Sequence, residues 1–193
     1  MSVTSPTSLL QQLRIEHPII QGPMTGSDTP ALAAAVSRSG GLGMLGCGMR
    51  SPDAMREAAQ LVRSSTDRPF GMNLFVQPRP APDPATVNKA LARLQPLYAE
   101  FGIEPSVPPQ WCEDFEAQFD TLIDLRPAVA RFTFGIITKS HAERLHAAGI
   151  YIIGTATTVA EAEAWELVGA DAVCASGMES GGHRGTFLGD FQA

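Results

Sequence analysis

Ile150-Tyr151-Ile152-Ile153-Gly154, then Thr155-Ala156-Thr157-Thr158, then Val159 to Val168, then Ala170-Asp171-Ala172-Val173-Cys174-Ala175: this order decides the fold class. The first run is short, apolar and rich in β-branched residues, as a buried strand is. Thr157 or Thr158 supplies a cap, and the segment to Val168 reads as a helix. The last run, Ala172 to Ala175, reads as another buried strand. Strand–helix–strand repeats of this kind imply parallel pairing through right-handed crossovers.

The alternation extends toward the N-terminus. Ala128 to Phe134 reads as a strand and Ser140 to Ala148 as the helix after it. Pro18 to Gly22 is a first strand candidate. Ser27, Asp28 and Thr29 then offer caps for a helix from Thr29 to Ser39, with Pro30 in its first turn and Gly40 and Gly41 ending it. Leu42 to Leu45 is a second strand. Ser51 caps a helix from Pro52 to about Arg63, and Phe70 to Phe75 is a third strand. The class is α/β with about six βα units; the strands alone do not separate an open sheet from a barrel.

Between the third and fourth strands the alternation breaks. Gln77 to Pro84 is proline-dense and extended. Ala85 to Phe101 reads as a helix with Leu91, Leu94, Leu97 and Tyr98 on one face. Glu104 to Gln110 is a second proline-containing loop, and Trp111 to Leu125 a helix with a stripe of Phe115, Phe119, Leu122 and Ile123. So long a connection exceeds a simple crossover. The expectation is one domain over residues 1–193 with a helical insertion at 76–126, of the kind that forms a lid over one end of a sheet.

Composition narrows the function. The chain has 193 residues, is 44% hydrophobic and 18% charged, and so belongs with globular chains. A formal charge of −6 argues against nucleic acid and anionic membranes as partners. Cys47, Cys112 and Cys174 are scattered, unlike a disulfide framework or a zinc site, so reduced thiols in a cytoplasmic protein and no metal are expected. No basic-then-apolar leader opens the sequence, and no apolar run approaches the roughly 18 residues of a membrane span.

Gly177-Met178-Glu179-Ser180-Gly181-Gly182-His183-Arg184-Gly185 follows the last strand. Its four glycines let backbone approach a ligand, and histidine is the side-chain type suited to moving protons near neutral pH. A glycine-lined strand end with one histidine suits a cofactor pocket that moves a proton; the plainer alternative is a tight surface turn. Gly41-Leu42-Gly43-Met44-Leu45-Gly46 matches G-x-G-x-x-G by letter only. Its glycines close a helix and span a strand, so a dinucleotide site is set aside. Small and polar residues gather after every strand: Gln21 to Gly26, Gly46 to Gly48, Asn73, Thr133 to Gly135, Gly154 to Thr158, and the His183 loop. Parallel α/β folds build sites at those ends.

Together Pro18-Ile19-Ile20-Gln21-Gly22-Pro23-Met24, Gly40 to Gly43, Phe70 to Phe75, Phe132 to Gly135, Gly154 to Thr158 and Gly177 to Gly185 resemble the nitronate monooxygenase family, formerly 2-nitropropane dioxygenase. The long excursion resembles the first class of that family and differs from the related enoyl-acyl-carrier-protein reductases. The resemblance implies a TIM-type (β/α)8 barrel holding FMN, with oxidation of alkyl nitronates or nitroalkanes by dioxygen. It implies Gln21, Gly22, Pro23 and Met24 along the isoalloxazine, Asn73 hydrogen-bonded to the flavin, Gly181 and Gly182 against it, and His183 as catalytic base. Ser176 stands where the family usually has Gln, so the flavin contact implied there comes from a shorter group. Met24, Phe75 and Phe134 are candidate walls. Thr133 receives no catalytic role; Lys139, His141 and His146 are expected in solvent, and His17 is expected to be structural.

A complete barrel uses about 250 residues and eight units. With six units legible, the expectation is a piece of a longer protein that by itself binds FMN weakly and turns over poorly. The alternatives are a truncated product, or a chain that pairs with a second copy, as a homodimer, to cover the gap. In function, the alternatives are a non-catalytic binding or assembly module, or an NAD(P)H-dependent flavin reductase on the same scaffold.

Overall fold

A computed structural model describes residues 6–189. The elements run α1 (Pro6–Leu13), α2 (Pro30–Arg38), β1 (Gly43–Gly46), α3 (Pro52–Ser65), β2 (Phe70–Phe75), α4 (Pro84–Glu100), α5 (Phe115–Leu125), β3 (Val129–Thr133), α6 (Lys139–Ala147), β4 (Tyr151–Ala156), α7 (Val159–Val168) and β5 (Ala172–Ala175). The strands form one all-parallel sheet in sequence order. Caps set the helix starts: Thr29, Ser51, Asp83, Asp114, Thr138 and Thr158 each accept from a backbone N–H in the first turn.

Three expectations change. The first strand candidate, Pro18 to Gly22, is reduced to one parallel bridge between Ile20 and Leu42. Beyond it the Gln21 side chain continues the ladder: its Nε2 donates to the Met44 carbonyl at 3.2 Å and its Oε1 accepts from the Met44 N–H at 3.4 Å. A carboxamide carries the same donor and acceptor as a peptide group, so the backbone is free to turn away at Gly22-Pro23. The helix expected from Trp111 begins at Phe115, where Asp114 caps it, and Trp111 is exposed. An unanticipated helix, α1, opens the described chain.

The chain divides into two compact units, one of residues 1–77 and 114–193 and one of 78–113. The smaller unit holds α4, none of whose residues is buried; Leu94 and Leu97 are exposed. The expected stripe on that helix is not buried, since its own unit offers no second element to cover it. Within the larger unit, α5 packs on α3 and β2.

The sheet of the larger unit has two unlike faces, because side chains alternate along a strand. One face carries Leu45, Met72, Leu74, Ala130, Phe132, Ile152 and Ala156 against the helices, where Phe119, Leu122, Leu145 and Trp165 complete a core. A Cβ on Gly154 would fall inside the Trp165 ring, so the close approach of α7 to β4 requires glycine there. The other face carries Leu42, Met44, Val129 and Ile153, packed with Leu13 and Ile15 and with Leu9 and Leu10 of α1. That cluster fills the N-terminal half of the inner face. The C-terminal half is polar, and it is there that the candidate site lies.

Candidate functional site

Asn73, Thr133 and Thr155 occupy successive strands on the inner face, each near its strand's C-terminal end. Thr133 Oγ1 donates to Asn73 Oδ1 at 3.1 Å, and the Thr133 and Thr155 hydroxyls lie 3.3 Å apart. Arg131, two residues before Thr133 and therefore on the same face, donates from Nε to Thr155 Oγ1 at 3.3 Å and from Nη2 to Cys174 Sγ on β5 at 3.2 Å. Guanidinium only donates, so the ladder has one direction: Arg131 to Thr155, Thr155 to Thr133, Thr133 to Asn73. Its far end is unmatched. Asn73 is 1% exposed, and its Nδ2 has no hydrogen-bond partner. A buried donor without an acceptor costs about 1–3 kcal/mol, which a ligand acceptor would return.

The glycine loop reaches the same rim. A Cβ on Gly185 would lie 3.1 Å from the Thr133 methyl and 3.2 Å from that of Thr155. His183 is exposed on the loop, its ring edge-to-face with Phe134 at 6.0 Å. Phe134 in turn packs edge-to-face on Phe75 at 4.8 Å, from a backbone φ of +70°. A left-handed phenylalanine is uncommon, and this one turns the chain leaving β3 so that its ring meets both neighbours. Gly182 also has positive φ, +81°, and neither it nor Gly181 nor Gly22 has a heavy atom within 4 Å of where a Cβ would stand. These glycines border open space.

One carboxylate ties down the far end of the loop. Glu161, buried on α7, accepts from the Phe187 N–H at 2.6 Å and the Leu188 N–H at 3.0 Å through Oε1, and from the Thr157 N–H at 2.6 Å and hydroxyl at 2.8 Å through Oε2. Burial raises its pKa, but the bonds from Leu188, Thr157 and Phe187 outweigh that and leave it below the usual glutamate value. Thr186 adds a 2.8 Å contact to Thr157.

A second network holds the Gln21–Met24 segment. The N–H groups of Ser27 and Asp28 donate to the Met24 carbonyl, closing a turn. Asp28 does not cap α2. Its buried carboxylate accepts from the Gly46 N–H at the end of β1 and pairs with Arg50 at 2.8 Å. Gln118 of α5 donates to the carbonyls of Cys47 and Arg50. Burial pushes the Cys47 thiol up to about 11, so it is a packing residue.

The structure brings Asn73, His183 and the Thr133–Thr155 pair to one rim. Ser176, half-buried, follows β5 at the same end, its N–H donating to the Ala156 carbonyl. The Gln21 carboxamide is engaged by Met44, and Pro23 is half-buried beside an exposed Met24. His141 departs from its expected place in solvent. Its side chain is 14% exposed, facing Glu116 and packed on Phe115 and Phe119, where it completes a capping box on α6. Among the residues not singled out by sequence, Arg131 and Glu161 matter most.

A nitronate monooxygenase family model matches residues 7–192. The chain belongs to the nitronate monooxygenase family. It is 43% identical over 181 residues to a Staphylococcus aureus protein described as a probable nitronate monooxygenase, covering 93% of this chain and 51% of that protein. Among solved structures it superposes on a nitroalkane oxidase from Streptomyces ansochromogenes with a TM-score of 0.84 and 37% identity, over 95% of this chain and 52% of that one. It also superposes on FabK from Thermotoga maritima with a TM-score of 0.68 and 32% identity, over 93% and 47%. The chain thus spans about half the length of these relatives, and its five parallel strands are part of a TIM-type barrel. Among the described residues no helix is long and apolar enough to cross a membrane.

Proposed function

We propose that this chain carries the cofactor mouth of an FMN-dependent oxidase of alkyl nitronates and nitroalkanes, with His183 as its base. The observation that supports it most is the unmatched Nδ2 of Asn73, set at the strand ends beside the glycine loop of a family member. That donor, the backbone of Gly22 to Met24, Ser176, and the open faces of Gly181 and Gly182 suit a planar, acceptor-rich ring. The Gln21 contact would be made by its backbone, since its carboxamide is engaged by Met44. FMN would supply the electron acceptor, with dioxygen completing the oxidation.

The chain's own residues do the rest. An exposed imidazole held against Phe134 can take the proton α to a nitro group on Nδ1 or Nε2, and its cationic form then stabilises the nitronate oxygens. Phe75 and Phe134 offer an apolar wall that orients a short alkyl group. The domain reading is one FMN-binding unit interrupted by the excursion of 76–126. The reading extends to a cytoplasmic enzyme, supported by three thiols outside any disulfide, and to pairing with a second copy.

Fluorescence titration with FMN tests the mouth. Micromolar or weaker binding is expected, weakened further about fivefold in Asn73→Ala, the equivalent of one hydrogen bond. Absence of any binding overturns the flavin reading. With FMN in excess, His183→Asn is expected to lower nitroalkane oxidation by about 100-fold or more while added nitronate is still oxidised. Unchanged nitroalkane oxidation removes the base assignment, and consumption of NAD(P)H without nitronate favours a reductase.

A further inference from the structure

Arg131 is a cation on the inner face of the sheet. Its level is set by what it touches: Thr155 on β4 and Cys174 on β5, which pair with each other in the ladder and stand at the height of the glycine loop. None of the ion pairs among the described residues includes it. Its two engaged N–H groups meet a hydroxyl and a thiol, both weak acceptors beside a carboxylate, and a guanidinium has five donors in a planar fork. A half-buried cation without a counter-charge is costly unless an anion joins it.

The hydrogen-bond ladder carries the argument further. Every bond in it runs away from Arg131, so both ends finish in donors: the remaining guanidinium N–H groups at one end, the orphaned Nδ2 of Asn73 at the other. No acceptor other than two hydroxyls already engaged lies between them. Such a floor repels cations and leaves a neutral apolar molecule facing unmatched donors. A small planar anion with two oxygens in one plane matches the fork. Gly185 packs down on the Thr133 and Thr155 methyls, where any side chain would crowd them, so the open donors of the floor are those of Arg131.

We propose that Arg131 makes the floor of this mouth a binding site for a small planar oxyanion. The identification of that oxyanion with the nitronate substrate rests on the function proposed above. Arg131 would then select the ionised nitronate over the neutral nitroalkane, a preference set by charge at the floor and separate from the proton transfer assigned to His183.

The test is an NMR titration of the 15N-labelled chain with sodium nitrate against sodium chloride at constant ionic strength. The probes are the Asn73 side-chain amide and the Trp165 indole N–H, which donates to the Thr155 carbonyl at 3.1 Å. Saturable shifts with nitrate and none with chloride are expected. Arg131→Met should weaken nitrate binding at least about tenfold, the equivalent of one charge-assisted hydrogen bond, and Arg131→Lys should retain part of it. Shifts that never saturate, or a midpoint unchanged in a folded Arg131→Met, overturn the proposal. FMN titration of the same samples separates the two readings. FMN binding without nitrate binding removes the oxyanion site alone; nitrate binding without FMN binding keeps the site and removes the flavin.

Discussion

The two faces of the same five strands differ in kind. Toward the helices, β1 to β4 present apolar, buried residues from one end of a strand to the other, and only β5 leaves its helix-facing Val173 exposed. Toward the inside, the composition changes along each strand: Val129 then Arg131 then Thr133, Ile153 then Thr155, Ala172 then Cys174. The helix-facing side answers only to packing. The inner side answers to packing at its N-terminal half, where α1 covers it, and to hydrogen bonding at its C-terminal half. A parallel strand supplies both because its side chains alternate, and the price of a polar site is confined to one quarter of the sheet surface.

Changes on the two faces should therefore act differently. The largest effect is expected at Trp165→Ala. Trp165 is fully buried, stacks on Phe132 at 6.2 Å and meets Phe187, so its loss should cost about 3–5 kcal/mol, read as a lower urea midpoint. A shift below about 1 kcal/mol would mean the helix-facing core is not what holds the sheet.

Glu161 lies between the two faces, on a helix but bonded to the loop. Glu161→Ala should cost about 1–3 kcal/mol by stranding the Thr157, Phe187 and Leu188 N–H groups. Its folded pKa lies below the unfolded value, so its contribution is complete above the unfolded glutamate pKa of about 4.3 and is lost as pH falls through the folded value. Amide protection at Phe187 and Leu188, taken relative to the intrinsic exchange rate at each pH, should fall in that acid range in the wild type. In Glu161→Gln exchange should be fast already at neutral pH and lack that acid step; equal profiles in the two proteins would remove the latch.

The smallest effect on stability is expected inside. Thr133→Val removes the bond to Asn73 and should cost no more than about 1.5 kcal/mol, while weakening FMN binding by several-fold in the titration described above. A large stability loss with unchanged binding would reverse the contrast between the faces.

Much of this was legible in the residues. Phe70 to Phe75 and Ala172 to Ala175 are strands over their expected spans because each is a compact apolar run. Pro18 to Gly22 has the same apolar look but lies against Gly22-Pro23, and a side chain completes its ladder in place of backbone. Pro6–Leu13 is two turns long and stable only because its leucines meet the inner face, a contact no local pattern announces. The glycine loop was visible because glycine and histidine are unusual together. Arg131 was harder to see. Its alternation with Val129 and Thr133 was in view, yet a charged residue in a strand ordinarily marks a solvent-facing position. Glu161 looked like an acidic first-turn residue of a helix, and its partners lie 26 and 27 residues further on.

The loop after β5 is held at its two ends by different parts of the sheet. It departs from β5 at Ser176, whose N–H is bound by β4, and it ends where Glu161 grips Phe187 and Leu188. Arg184 belongs to the second anchor, since its Nε donates to Thr186 Oγ1 at 3.0 Å. The backbone from Gly177 to Gly182 can therefore shift between two fixed ends, and the loop can adjust its reach over the mouth while the scaffold stays constant.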